Sequence, residues 1–152
     1  MNPTWLLVAN RSRARLFEIP EEGNEPVEIA DFVHPAGRTH DRDLLSDTPG
    51  RFFGRGERQF AAVPEVEVSA HEAERFAEEL RNYLEQARTH ERFGELWIMA
   101  GPAFLGILRD KLTKGVEREL VLDVDKDVTM EAPRDILASA LRERERHASR
   151  GA

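Results

Sequence analysis

The stretch Glu95-Leu-Trp-Ile-Met-Ala-Gly-Pro-Ala-Phe-Leu-Gly-Ile-Leu-Arg-Asp-Lys-Leu112 decides the fold class. Glu95 to Ala100 is a short continuous apolar run, the pattern of a central strand covered on both faces. Gly101-Pro102 turns the corner, with proline at the first helical position, where its missing amide proton costs little. Phe104, Leu105, Ile107, Leu108 and Leu112 then recur at helical spacing, and Gly115 closes that helix. A buried strand that feeds a helix directly is the building unit of an α/β sheet.

Downstream, Glu119-Leu-Val-Leu-Asp-Val124 reads as another strand. Pro133 to Arg146 reads as a last helix that packs through Ile136, Leu137, Ala140 and Leu141, and residues 147–152 form a polar tail expected to fray. Upstream, Ser69-Ala-His-Glu72 matches a capping box. Ala73, Phe76, Ala77, Leu80, Tyr83, Leu84 and Ala87 follow on one helical face. Nearer the start, Thr4–Ala9, Arg13–Ile19 and the run after Pro26 up to Val33 read as strands, separated by the polar turns Asn10-Arg-Ser12 and Pro20-Glu-Glu-Gly-Asn24. The expectation is a mixed sheet with helices on its faces: an antiparallel meander in the N-terminal half, parallel pairing with right-handed crossovers in the C-terminal half. One domain spans 1–146.

A chain of 152 residues buries about 68–70% of the surface it exposes when unfolded, enough for one core without staples. Cysteine is absent, which excludes disulfides, thiolate catalysis and cysteine zinc sites. No apolar run reaches the ~18 residues of a membrane span, and the start is too short and uncharged for a signal peptide; a cytoplasmic protein with no membrane association is expected. A net charge of −7 argues against coating nucleic acid by bulk charge. Local basic patches remain available around Arg11, Arg13 and Arg15, and around Arg142, Arg144, Arg146 and Arg150.

Between the meander and the first long helix, residues 34–64 fit neither helix nor strand, and loops of this length in a compact domain are usually functional or disordered. The segment carries five arginines. Within it, Pro49-Gly-Arg-Phe-Phe-Gly-Arg-Gly-Glu-Arg-Gln59 combines backbone freedom at Gly50, Gly54 and Gly56 with guanidinium groups at Arg51, Arg55 and Arg58. Arginine on such a backbone can match phosphates bidentately, and Phe52 or Phe53 can stack on an unpaired base. Arg51, Phe52, Phe53, Gly54, Arg55, Gly56, Arg58 and Gln59 are therefore the candidate binding residues.

Elsewhere the chemistry is thinner. Asp123, Asp125 and Asp127 would share one face of an extended strand and could hold magnesium, but the calcium-loop pattern fails at Val128 and Arg134. Solvated charges at a strand end explain them better, and a nuclease site needs carboxylates from more than one strand, whereas the first strand offers only Asn10 near its end. His34, His40, His71, His90 and His147 show no ligand spacing, and the cap accounts for Ser69 and Glu72 without a catalytic triad. Gly101 to Gly106 lacks the Gly-Lys-Ser/Thr ending of a phosphate loop. Neither a cofactor nor a metal is expected.

Several segments together resemble the bacterial host attachment proteins, described as required for attachment to host cells. They are Trp5-Leu-Leu-Val-Ala-Asn-Arg-Ser-Arg-Ala-Arg-Leu-Phe-Glu18, Leu45-Ser-Asp-Thr-Pro-Gly-Arg51, Glu74-Arg-Phe-Ala77, Pro102-Ala-Phe-Leu-Gly106 and Val124-Asp-Lys-Asp-Val-Thr129. That family in turn is similar to the central domain of archaeal and eukaryotic class-1 peptide-chain release factors. The resemblance implies a ribonuclease-H-like sheet and a ribosome or tRNA partner. In release factors the loop before the first long helix ends in a Gly-Gly-Gln tip; the corresponding stretch here is Gly54-Arg-Gly-Glu-Arg-Gln59. Glu57 and Arg58 put side chains where the tip has glycines, so the backbone cannot bend as sharply beside the glutamine. Binding to RNA, or to a protein partner in host or surface attachment or stress adaptation, is expected in place of peptidyl-tRNA hydrolysis.

Overall fold

The computed structural model describes residues 2–21, 25–34 and 70–151. In chain order these form β1 (Thr4–Ala9), β2 (Arg13–Ile19), β3 (Val27–Val33), α1 (Ala70–Thr89), β4 (Glu95–Ala100), α2 (Pro102–Lys111), α3 (Lys114–Glu119), β5 (Leu120–Asp125) and α4 (Pro133–Gly151). The strands make a five-stranded mixed sheet in the order β3-β2-β1-β4-β5. β1 pairs antiparallel with β2, from Thr4 opposite Ile19 to Ala9 opposite Ala14, and β2 pairs antiparallel with β3. On its other side β1 pairs parallel with β4, from Thr4 opposite Glu95 to Ala9 opposite Ala100, and β4 pairs parallel with β5. Meander and parallel half therefore meet at β1, the centre of the sheet.

The alternation of side chains along a strand divides the apolar runs between two cores. Trp5, Leu7 and Ala9 join Leu96, Ile98 and Ala100 under Phe76, Leu80 and Leu84 of α1, Phe104 and Leu108 of α2, and Val116 of α3. Leu6 and Val8 join Trp97 and Met99 under Ile136 and Ala140 of α4. Continuous apolar sequence in β1 and β4 is the direct consequence of helices on both faces.

The boundaries differ from expectation at three places. Gly115 does not close α2; it is the second residue of α3, a helix not foreseen in the sequence. Leu112 and Thr113 are extended and break the run, and the Thr113 hydroxyl then accepts the Val116 amide at 3.1 Å as an N-cap. A Cβ at Gly115 would meet the Arg88 guanidinium at 2.5 Å, so glycine leaves that side chain its place against α3. β5 starts at Leu120, one residue after Glu119, and its register slips opposite Leu96/Trp97, leaving Val121 half exposed. Finally, α4 continues beyond Arg146 to Gly151 as an exposed polar helix. Alternating arginine and glutamate are good helix formers, and Arg146 pairs with Glu143 one turn back.

Candidate functional site

A crevice of about 420 Å³ opens beyond the carboxyl ends of the central strands. Asn10 and Arg11 follow β1, Gly101 to Phe104 follow β4, and Asp127 follows β5. In open α/β sheets this is the end where ligands bind, at the point where neighbouring connections leave in opposite directions. Here the chain leaves β1 towards β2 and leaves β4 towards β5, so the crevice sits at such a point. Gly101 caps α2 with an extended backbone and makes no side-chain cap bond; Pro102 follows, and no acid lies in the first turn.

Asn10 organises the crevice. Its side-chain Oδ1 accepts the amides of Ser12 and Arg13 at 2.8 and 2.9 Å, which shapes the β1–β2 turn. Its amide nitrogen donates to Asp127 Oδ2 and Thr129 Oγ1, both at 3.1 Å. Asp127 Oδ1 in turn accepts from the Thr129 amide at 3.0 Å and hydroxyl at 2.7 Å. Asp127 is thus committed to holding a loop.

Arg15 fixes that loop from below. It is 8% exposed, and its Nη1 donates to the carbonyls of Thr129 and Glu131, each at 2.9 Å. Nε and Nη2 form a fork on Glu28 at 2.9 and 3.0 Å. The hydrogen bond to Glu28, opposed by burial, holds the guanidinium above its ordinary pKa. Arg15 is consequently unavailable to a surface patch, which corrects its grouping with Arg11 and Arg13. Arg13 itself reaches Asp31 at 3.3 Å on the exposed edge.

At the same end of the sheet, the His34 amide donates to the Ser12 carbonyl at 3.0 Å. The buried His34 ring lies over Phe76, and its Nε2 is 3.1 Å from Glu72 Oε1 at the start of α1. The two points where segment 35–69 joins the described body are therefore clasped together, next to the β1–β2 turn. Glu72, read in the sequence as half of a capping box, meets His34; Ser69 lies outside the described residues. So do Arg51, Phe52, Phe53, Gly54, Arg55, Gly56, Arg58 and Gln59.

The three aspartates do not converge. Asp123 pairs with Arg109 of α2 at 3.0 Å, Asp125 ends β5 exposed, and Asp127 has left the strand for Asn10. Among the described residues no group of three or more His, Cys, Asp or Glu side chains is placed to hold a metal ion. Missing from the sequence reading were the roles of Asn10, Thr129 and Arg15 and the His34–Glu72 contact. The local signal Asp127-Val-Thr129, an acid two residues before a hydroxyl donor, could have marked the loop.

The sequence matches the family model described as "Protein required for attachment to host cells" over residues 5–139. The chain belongs to that family. The match runs from the second residue of β1 into α4, and so takes in every element that lines the crevice. No curated protein matches this host-attachment chain in sequence. Among solved structures it is similar to the ethanolamine utilization protein EutJ from Carboxydothermus hydrogenoformans, at 15% identity and a TM-score of 0.39, covering 82% of this chain and 46% of that one. It is also similar to the Ppx/GppA phosphatase of Aquifex aeolicus, at 11% identity and a TM-score of 0.36, covering 82% and 35%. The chain spans less than half the length of either protein. Among the described residues no helix is long and apolar enough to cross a membrane.

Proposed function

We propose that this host-attachment-family protein is a non-catalytic RNA- or ribosome-associated binding domain. In this reading Arg51, Arg55 and Arg58 meet phosphates while Phe52 or Phe53 stacks on a base. The observation that carries it is the clasp at His34 and Glu72. It brings together residues that flank an arginine-rich stretch of sequence, and α2 offers an N-terminus without a side-chain cap. The same reading takes the mixed sheet as ribonuclease-H-like, in the manner of the release-factor central domain, and the protein as cytoplasmic. Hydrolysis is not part of it, because Gly54 to Gln59 lacks paired glycines beside the glutamine. Nor is a magnesium nuclease, since Asp123 is engaged by Arg109.

The test is co-sedimentation of the protein with ribosomes across a salt series. Arg51, Arg55 and Arg58 changed together to alanine should weaken it and flatten its salt dependence. Unchanged sedimentation of that triple variant overturns the reading. The family description favours a second reading, a protein-interaction role in attachment. Partner capture that survives nuclease treatment would support that one.

A further inference from the structure

We propose that the outer half of α4 is a docking strip for the phosphodiester backbone of a nucleic acid. Beyond Ala140 the helix is exposed at every position through Arg150 except the half-buried Glu143. Arg142, Arg146 and Arg150 follow at four-residue intervals. Each interval advances about 6 Å along a helix axis and turns about 40° around it, so three guanidinium groups form one slanting row. Such a row suits a chain of phosphates better than a single anion, and each fork can engage a phosphate bidentately.

The row borders two shallow hollows. One, of about 360 Å³, is lined by Arg142, Glu145, Arg146 and Ser149. The other, of about 460 Å³, adds Lys126, His147 and Arg150, together with Asp123, Asp125 and Glu143. Asp123 is engaged by Arg109, and Glu143 meets Arg146 Nη1 at 3.1 and 3.2 Å, so a phosphate at the middle of the row has to compete with Glu143 for Arg146. Like charges four residues apart on a helix repel, and a polyanion relieves that repulsion. An anionic membrane is the poorer occupant, because from 142 to 150 the helix carries Ala148 as its one apolar side chain and so has no face to insert.

The strip is a different surface from segment 49–59 and rests on the previous reading only for RNA as the polymer. The test is fluorescence anisotropy of a labelled 20-nucleotide single-stranded RNA with the full chain, titrated with salt. The variants are Arg142→Gln/Arg146→Gln/Arg150→Gln and, separately, Arg51→Ala/Arg55→Ala/Arg58→Ala; circular dichroism verifies that α4 persists, since glutamine keeps helix propensity. Three lost phosphate contacts should lower the slope of log K against log salt by about 2 and weaken binding on the order of 100-fold at 0.1 M salt. Glu145→Gln should tighten it. An α4 triple variant that binds as wild type overturns the strip, and loss confined to the segment variant leaves the previous reading standing without it. Loss confined to the α4 variant does the reverse. A wild-type chain that ignores RNA but binds phosphatidylserine vesicles overturns the strip, while ribosome co-sedimentation decides the previous reading.

Discussion

Arg15 Nη1 donates to the carbonyl of Thr129 at 2.9 Å, joining the second strand to a loop 114 residues further along the chain. With its second carbonyl at Glu131 and its fork on Glu28, this one side chain fixes the floor on which Asn10 and Asp127 meet.

Replacing Arg15 by methionine keeps much of its bulk but orphans two carbonyls and the Glu28 carboxylate. The Glu28 side chain is 30% exposed and recovers part of its solvation. The expected loss is about 2–4 kcal/mol, below that of a fully buried broken pair. Arg15→Lys should recover little, since an ammonium cannot span the fork and both carbonyls. Urea denaturation reads this as a lower midpoint at unchanged slope; a loss under about 0.5 kcal/mol would show that the clamp is decorative.

Asn10→Asp tests the crevice itself. The amide nitrogen that donates to Asp127 and Thr129 becomes an acceptor facing a carboxylate. Two like charges raise the folded-state pKa of one of them above its unfolded value of about 3.9. The penalty is absent below the unfolded pKa, grows as pH rises from there, and is complete above the folded pKa. The variant should therefore be about 1–2 kcal/mol less stable than wild type at pH 7 and close to it near pH 4. Urea midpoints at the two pH values decide, and an equal deficit at both would refute the charge argument.

How much of this could be read from sequence follows from range. β1, β4 and α1 were legible because alternation, apolar continuity and helical spacing are local patterns dictated by burial on known faces. The Gly101-Pro102 corner was legible for the same reason, and the structure has Pro102 opening α2. α3 was not, because a six-residue helix has too few turns to show a period, and glycine inside it is explained only by Arg88 of another helix. The crevice was invisible as a site. Asn10 and Asp127 are 117 residues apart and become neighbours only when β1 is placed between β2 and β4. Arg15, two residues from Arg13, looked equally solvated, yet one is buried on a fork and the other is half-exposed and meets Asp31 of the edge strand.

Gly115→Ala sets helix propensity against a specific close approach. In the first turn of α3 alanine is worth some part of the ~1 kcal/mol that it gains over glycine in a helix interior. Its Cβ, however, would displace the Arg88 guanidinium, which donates to Glu85 at 3.1 and 2.8 Å. Disturbing that half-buried pair offsets the gain in propensity, so the single variant should be near neutral. In an Arg88→Ala background the obstacle is gone, and the same substitution should stabilise by most of that gain. A double-mutant cycle measures the coupling; additive effects would mean that Arg88 moves aside at no cost.

Glu85 links α1 to the cap of α3 and gives the fold an acid-sensitive joint. Arg88 donates to it from Nε and Nη2, and the Thr113 hydroxyl donates at 2.7 Å to the same oxygen as Nε. The Arg88 hydrogen bonds first, and then that of Thr113, lower its pKa from 4.5 to about 2. A carboxylate whose folded pKa is depressed contributes stability that is fully present above its unfolded value and is lost as pH falls through the folded one. Here that window runs from 4.5 down to about 2. Because the Glu85 side chain is 34% exposed, solvent screening keeps the contribution under about 1 kcal/mol. Glu85→Gln should lower stability by a constant amount above pH 5, and the gap to wild type should close as pH approaches 2. Urea midpoints of both proteins from pH 7 to pH 2.5 test this, and a gap that widens on acidification would reverse the sign and remove Glu85 as the source of acid sensitivity.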